Sequence, residues 1–166
     1  VEIIAALKKH GAAIGMDASG NIIRLAGDNT QITDADLVRV ATFTSLESLM
    51  LSNSRISDAG LEHLTRLTNL TILVISQNTI SDAGLEHLKG LVNLKVLFLG
   101  STKISDAGLV HLADLKKLKS LFLGNTEISD AGLVHLTGLM SLRSLRLPRT
   151  TISDAGLTHL RGLTNL

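Results

Sequence analysis

The chain has 166 residues, enough for one domain with a continuous core. Its net charge of +1 gives no whole-molecule case for nucleic acid, and without cysteine it has neither disulfides nor thiolate metal sites. Charge is unevenly spread: residues 1–83 hold 6 Lys and Arg against 9 Asp and Glu, while residues 84–166 hold 10 against 6.

Val1 to His10 reads as a short helix, with Ile3, Ile4 and Leu7 on one stripe and Gly11 ending it. Ala12 to Met16 is a short strand, Asp17-Ala18-Ser19-Gly20-Asn21 has turn chemistry, and Ile22 to Leu25 is a second strand. Residues 1–21 are expected to form an N-terminal cap of helix plus strand, since the strand at Ile22 would otherwise expose a sheet edge. The chain begins at Val1 rather than methionine, which fits removal of a leader or tag, so the compartment is left unassigned. No apolar run is long enough to span a bilayer.

Residues 22–166 are periodic. Ile-Ser-Asp-Ala-Gly-Leu occurs at Ile56, Ile80, Ile104, Ile128 and Ile152, each 24 residues after the last, preceded in phase by Ile32-Thr33-Asp34-Ala35-Asp36-Leu37. A fixed period of this length predicts a solenoid of six in-phase units, each burying its apolar face against its neighbours. Within a unit, Leu73 and Ile75 alternate with Ile72, Val74 and Ser76, as in a strand with one buried face. Ser57 is placed to cap a helix, and Asp58 to meet the positive end of that helix. Leu61, Leu64 and Leu67 form its inward stripe, and Gly60 is expected to let it lie close to the sheet. The column Thr30, Ser54, Asn78, Thr102, Thr126 and Thr150 follows each strand, where the bend leaves backbone groups in need of partners. Asp36 stands where later units have glycine, which predicts looser packing of that helix. Leu163-Thr164-Asn165-Leu166 opens a further strand, so no closing C-terminal cap is expected within the chain.

The units run Leu-x-x-Leu-x-Leu/Ile-x-x-Ser/Asn/Thr from Leu46, Leu70, Leu94, Leu118 and Leu142, and in this they resemble the leucine-rich repeat family. Their Ile-Ser-Asp-Ala-Gly-Leu half is similar to the bacterial and F-box-associated subclass. The resemblance implies an α/β solenoid, a curved horseshoe with a parallel β-sheet on the concave face and helices on the convex face. It also implies hydrogen bonds from the Ser/Asn/Thr column to the neighbouring turn.

Ser57, Asp58 and His63 recur in every full unit, and a residue repeated in phase serves the fold rather than an active site built once. The chain is therefore not expected to be an enzyme or to carry a cofactor. His63, His87, His111, His135 and His159 lie at the seam between helices that pack roughly 8–10 Å apart, too far for several imidazoles to converge on one metal. Each is expected to be half-buried and bonded to a neighbouring carbonyl.

The variable strand positions are not dictated by the repeat. Those facing away from the core are Arg24, Ser48, Ile72, Val96, Ser120 and Ser144 in one column, and Ala26, Met50, Val74, Phe98, Phe122 and Arg146 in the next. Met50 to Phe122 would cover roughly 15 Å of concave surface at the usual strand spacing. Two readings stand open: cross-strand pairing that stabilises the sheet, and a contiguous apolar patch that binds a partner. The candidate partner-binding residues are Met50, Ile72, Val74, Val96, Phe98, Phe122 and Arg146. Basic residues gather beyond the patch at Lys95, Lys119, Arg143, Arg149, Lys116 and Lys117, which fits a protein partner with an acidic rim and not nucleic acid. The expected function is a protein-binding scaffold. The alternative is a regulatory or substrate-receptor module of a larger protein whose catalytic part lies outside this chain.

Overall fold

The structure is a computed structural model and describes residues 2–166. Helix α1 (Glu2–Lys9) buries Leu7 completely and Ile3 and Ile4 in part. It stops at Gly11, whose φ of 100° favours glycine, and where an added Cβ would meet Thr30 Cγ2 at 2.9 Å. Strand β1 (Ala13–Met16) then pairs antiparallel with β2 (Ile22–Ala26), Ala13 opposite Ala26. The turn between them is tied by the Asp17 carboxylate, which accepts from the Ser19 and Asn21 backbones and from Asn21 Nδ2.

From β2 onward all pairing is parallel and sequential. Strands β3 (Ser48–Met50), β4 (Ile72–Val74), β5 (Val96–Phe98), β6 (Ser120–Phe122) and β7 (Ser144–Arg146) complete a seven-stranded sheet in chain order. The register places Leu25, Leu49, Leu73, Leu97, Leu121 and Leu145 side by side. The first five are fully buried, whereas Leu145 is partly exposed on the last strand. Past each strand the chain bends and pairs again, with bridges such as Ser57 to Thr79 and Ser81 to Lys103. Two parallel ladders thus close each turn of the solenoid around a leucine and isoleucine core.

The return segments are short helices: α2 (Asp34–Val40), α3 (Asp58–Glu62), α4 (Asp82–Glu86) and α5 (Asp154–Leu157). The equivalent segments Asp106–Leu112 and Asp130–Leu136 wind as 3-10 helix.

The Ser-Asp-Gly part of the repeat works between units rather than within one. Asp34 accepts from Ser57 N at 2.9 Å and from Ser57 Oγ at 2.5 Å. Asp58 with Ser81, Asp82 with Ser105, Asp106 with Ser129 and Asp130 with Ser153 repeat this pair. Each carboxylate therefore sits at the N-terminus of the next unit's helix, where free N–H groups and the helix dipole favour an anion. The Ser153 hydroxyl and backbone N–H, helped by Gly156 N–H, hold the Asp130 carboxyl below its ordinary range. Two expectations are corrected here. Ser57 and Ser81 make no side-chain cap to their own helices, whereas Ser105, Ser129 and Ser153 do cap theirs, each hydroxyl donating to the preceding unit's aspartate and accepting from the backbone N–H two residues on. Gly60 is small because Asp34 and Leu37 of the preceding unit press on it, a Cβ there lying 3.0 Å from Asp34 Cγ, and not because the sheet does.

Asp36 is a third correction. The first unit has no preceding aspartate, and Asp36 supplies the carboxylate from within: Thr33 N and Oγ1 donate to Asp36 Oδ2 at 3.0 and 3.1 Å. His10 Nδ1 meets the same oxygen at 3.0 Å, joining the segment after α1 to α2. Asp36 is 2% exposed, so its helix is tied rather than loose. Burial would raise its carboxyl, but the bonds from Thr33 and His10 together bring it below the ordinary value.

The post-strand column divides by chemistry. Asn78 Nδ2 donates to Leu51 O of the preceding turn and to Ile75 O, while its Oδ1 accepts from Ser54 N and Ile56 N. Ser54 Oγ likewise reaches back to Gly27 O. The threonines instead close their own turn, as Thr102 Oγ1 does on Leu99 O at 2.6 Å.

Candidate functional site

Because register is fixed by the buried leucines, the intervening side chains stack in columns on the open face of the sheet. One column is Arg24, Ser48, Ile72, Val96, Ser120 and Ser144, and the next is Ala26, Met50, Val74, Phe98, Phe122 and Arg146. Met50, Ile72, Val74, Val96, Phe98 and Phe122 are all half-buried there, and Arg146 is exposed.

Phe98 and Phe122 meet edge to face, with ring centroids 5.8 Å apart and planes at 65°. This orientation suits the ring quadrupoles and holds both rings still. Phe122 also has a seat. A Cβ on Gly100 would lie 2.7 Å from its Cδ1, and one on Gly124 would lie 3.0 Å from its Cε2 and 2.5 Å from Pro148 Cγ. Earlier units carry Ser52 and Ser76 at the position of these glycines, so the loss of two side chains coincides with the one ring that needs their space.

Around the pair the open face forms a hollow of about 440 Å³. It gathers Val74, Phe98, Phe122 and Arg146 from the candidate residues, together with Asp28, Asn29, Ser52, Asn53, Ser76 and Gln77. Met50, Ile72 and Val96 share the face but do not line the hollow. The polar members went unpredicted because they follow the strands, where the repeat is variable and polar. A signal did exist: Asn29, Asn53 and Gln77 stand in one column, at the point where each strand must turn. All three have positive φ (57°, 49° and 57°), which asparagine tolerates better than most side chains. Their backbones are satisfied, Asn53 N donating to Ser76 O and Gln77 N to Gly100 O. Asn53 Nδ2 donates to Asn29 Oδ1 at 2.8 Å.

The hollow is electrically uneven. Asp28 is exposed at one end, with Oδ1 accepting from Ser52 N at 2.6 Å. Arg146 is at the other end and Arg149 follows close behind, and neither forms an ion pair among the described residues. Lys95, Lys119 and Arg143 are exposed along one side of the sheet.

The repeated Ser, Asp and His do not assemble into a triad, since each serine is spent on the preceding unit's aspartate. His63, His87, His111 and His135 are half-buried and His159 is exposed. None of these five bonds a neighbouring carbonyl among the described residues, contrary to expectation: their rings sit at the solvent-facing seam, where water competes. No described helix is long and apolar enough to cross a membrane.

Comparison with known proteins gives the family. The family model described as leucine rich repeat matches residues 44–104, and that described as leucine rich repeats (2 copies) matches 92–135. Among solved structures, an internalin (inlF) of Listeria monocytogenes is 38% identical over 82% of the chain, with a TM-score of 0.71. The chain spans 37% of that protein's length. Internalin C2 of the same organism is 23% identical over 99% of the chain and 89% of its own, with a TM-score of 0.59. The Arabidopsis receptor kinase HAESA, solved with a peptide hormone and a co-receptor, is 20% identical over 98% of the chain and 32% of its own, with a TM-score of 0.65. None of the curated proteins compared with the chain matches it. With its period, its parallel sheet and these matches, the chain belongs to the leucine-rich repeat proteins.

Proposed function

We propose that the chain is a protein-recognition scaffold that takes its partner on the open face of the sheet, with Phe98 and Phe122 as anchors. The observation that carries this reading is the seated edge-to-face pair at the floor of a hollow. Two large apolar side chains are held rigid at positions where a solvated strand would carry polar ones. Rigid aromatic anchors lose little entropy on binding, and interface energy concentrates in such residues. Met50, Ile72, Val74 and Val96 extend the apolar ground around them, and Arg146 supplies the charge for an acidic rim on the partner. The receptor kinase that shares this fold is itself solved with a peptide hormone and a co-receptor, in line with such a use of the repeats.

A photo-crosslinking residue placed at Ser120, on the open face beside Phe122, should trap a partner from cell extract. The same residue at Glu62, on the helical side, should not. Trapping at Glu62 alone would move the interface to the helices and overturn this reading.

A further inference from the structure

We infer that the occupant of the hollow is a short extended polypeptide segment with a basic residue at one end, an acidic residue at the other, and apolar side chains between them. This rests on the reading that the open face binds a partner, and adds the chemistry of what is bound.

Asp28 and Arg146 line the same hollow from its two ends. They belong to the β2 and β7 turns, five strand steps apart. At about 4.8 Å per step that is roughly 24 Å along a flat sheet, the reach of about seven extended residues. An extended segment laid across the strands covers this distance with about seven residues, where a helix would need roughly 16. Both charges are exposed and available. Arg146 has no ion-pair partner among the described residues, and Arg149 reinforces it. Asp28 commits one oxygen to Ser52 N and leaves the other open. Between them the floor is Val74, Phe98 and Phe122, and the rim amides of Asn53 and Gln77 offer donors and acceptors to a passing backbone. A uniformly acidic ligand would be repelled at Asp28, and a uniformly basic one at Arg146. Only a segment with both signs, spaced to the length of the hollow, satisfies the two ends together.

The test is selection of displayed random nonapeptides on the immobilised protein, followed by titration of a synthetic copy of the most enriched one. Enriched sequences should pair Lys or Arg with Asp or Glu about six to eight positions apart, in either order, with apolar residues between. Asp28→Asn keeps the acceptor for Ser52 and should abolish only the basic preference. Arg146→Gln should abolish only the acidic one, and Arg146→Glu should enrich peptides basic at both ends. Each neutralisation should weaken the synthetic peptide by roughly two- to fivefold, as for an exposed ion pair. Enrichment that ignores both charge changes but disappears in the Phe98→Ser/Phe122→Ser protein would overturn the dipolar segment and leave the binding face standing. Enrichment that survives the phenylalanine changes would overturn both. Failure to enrich any peptide would overturn the short-segment occupant while leaving a larger protein surface as the partner.

Discussion

The smallest unit of this architecture is a carboxylate, a serine and a glycine drawn from adjacent turns. Asp58 receives both donors of Ser81, and Gly84 lets the carboxylate approach, since a Cβ there would lie 3.1 Å from Asp58 Cγ and from Leu61 Cδ1. Gly84→Ala should therefore destabilise the protein by about 1–3 kcal/mol through overpacking. Gly90 has no atom within 4 Å of an added Cβ and no positive φ. Gly90→Ala should be neutral or add up to about 1 kcal/mol by stiffening the unfolded chain. Urea melts of the two variants check the pair, and equal losses would remove the carboxylate from the explanation. The recurrence of these residues was plain in the sequence, but their use was not. Ser57 and Asp34 stand 23 residues apart, so a pair made between turns reads, within one repeat, as a serine capping its own helix.

At the scale of the element, α2 departs from the repeat and gains by doing so. Asp36 makes a capping box with Thr33 and meets His10, with Arg39 Nη1 3.5 Å from its other oxygen. Asp36→Gly restores the consensus yet should cost about 1–2 kcal/mol, the usual worth of a helix cap. The folded Asp36 carboxyl lies below its ordinary value. Its stabilising effect is thus fully present above the unfolded value near 3.9 and is lost as pH falls through the lower, folded value. Asp36→Asn should flatten that part of the stability curve below about pH 4 when melts are run from pH 5 downward. An unchanged acid slope would place the effect in other carboxylates. Strand and core columns here were legible from period alone, because a buried face repeats. Asp36 was not, because a single exception to a repeat looks like a defect until its donors are seen.

Over the whole molecule, stability is a sum of interfaces between turns. Leu133 is fully buried whereas Leu157, one turn on, is 49% exposed, and Leu145, Leu147 and Ile152 are only partly covered. In the 166-residue chain the amides after Leu142 should exchange faster than those of the turns starting at Leu70 and Leu94. Uniform protection would mean that another molecule covers that end. The binding face belongs to the same scale. The apolar columns from Met50 to Phe122 were visible as breaks in an otherwise dictated pattern. The glycine seat of Phe122 and the polar rim were not, since each joins side chains from three or more turns.

The most direct measurement of the central claim is titration of the partner trapped through Ser120 against the wild-type and Phe98→Ser/Phe122→Ser proteins, with thermal melts in parallel. Affinity should fall roughly a hundredfold or more, if each ring contributes at least about 1.4 kcal/mol to binding. The melting point should drop by only a few degrees, the scale of about 1–2 kcal/mol in a chain of this size, because Phe122 leaves its seat but the leucine core is untouched. Undiminished affinity together with a collapsed melting transition would show that the aromatic pair serves the sheet and not a partner.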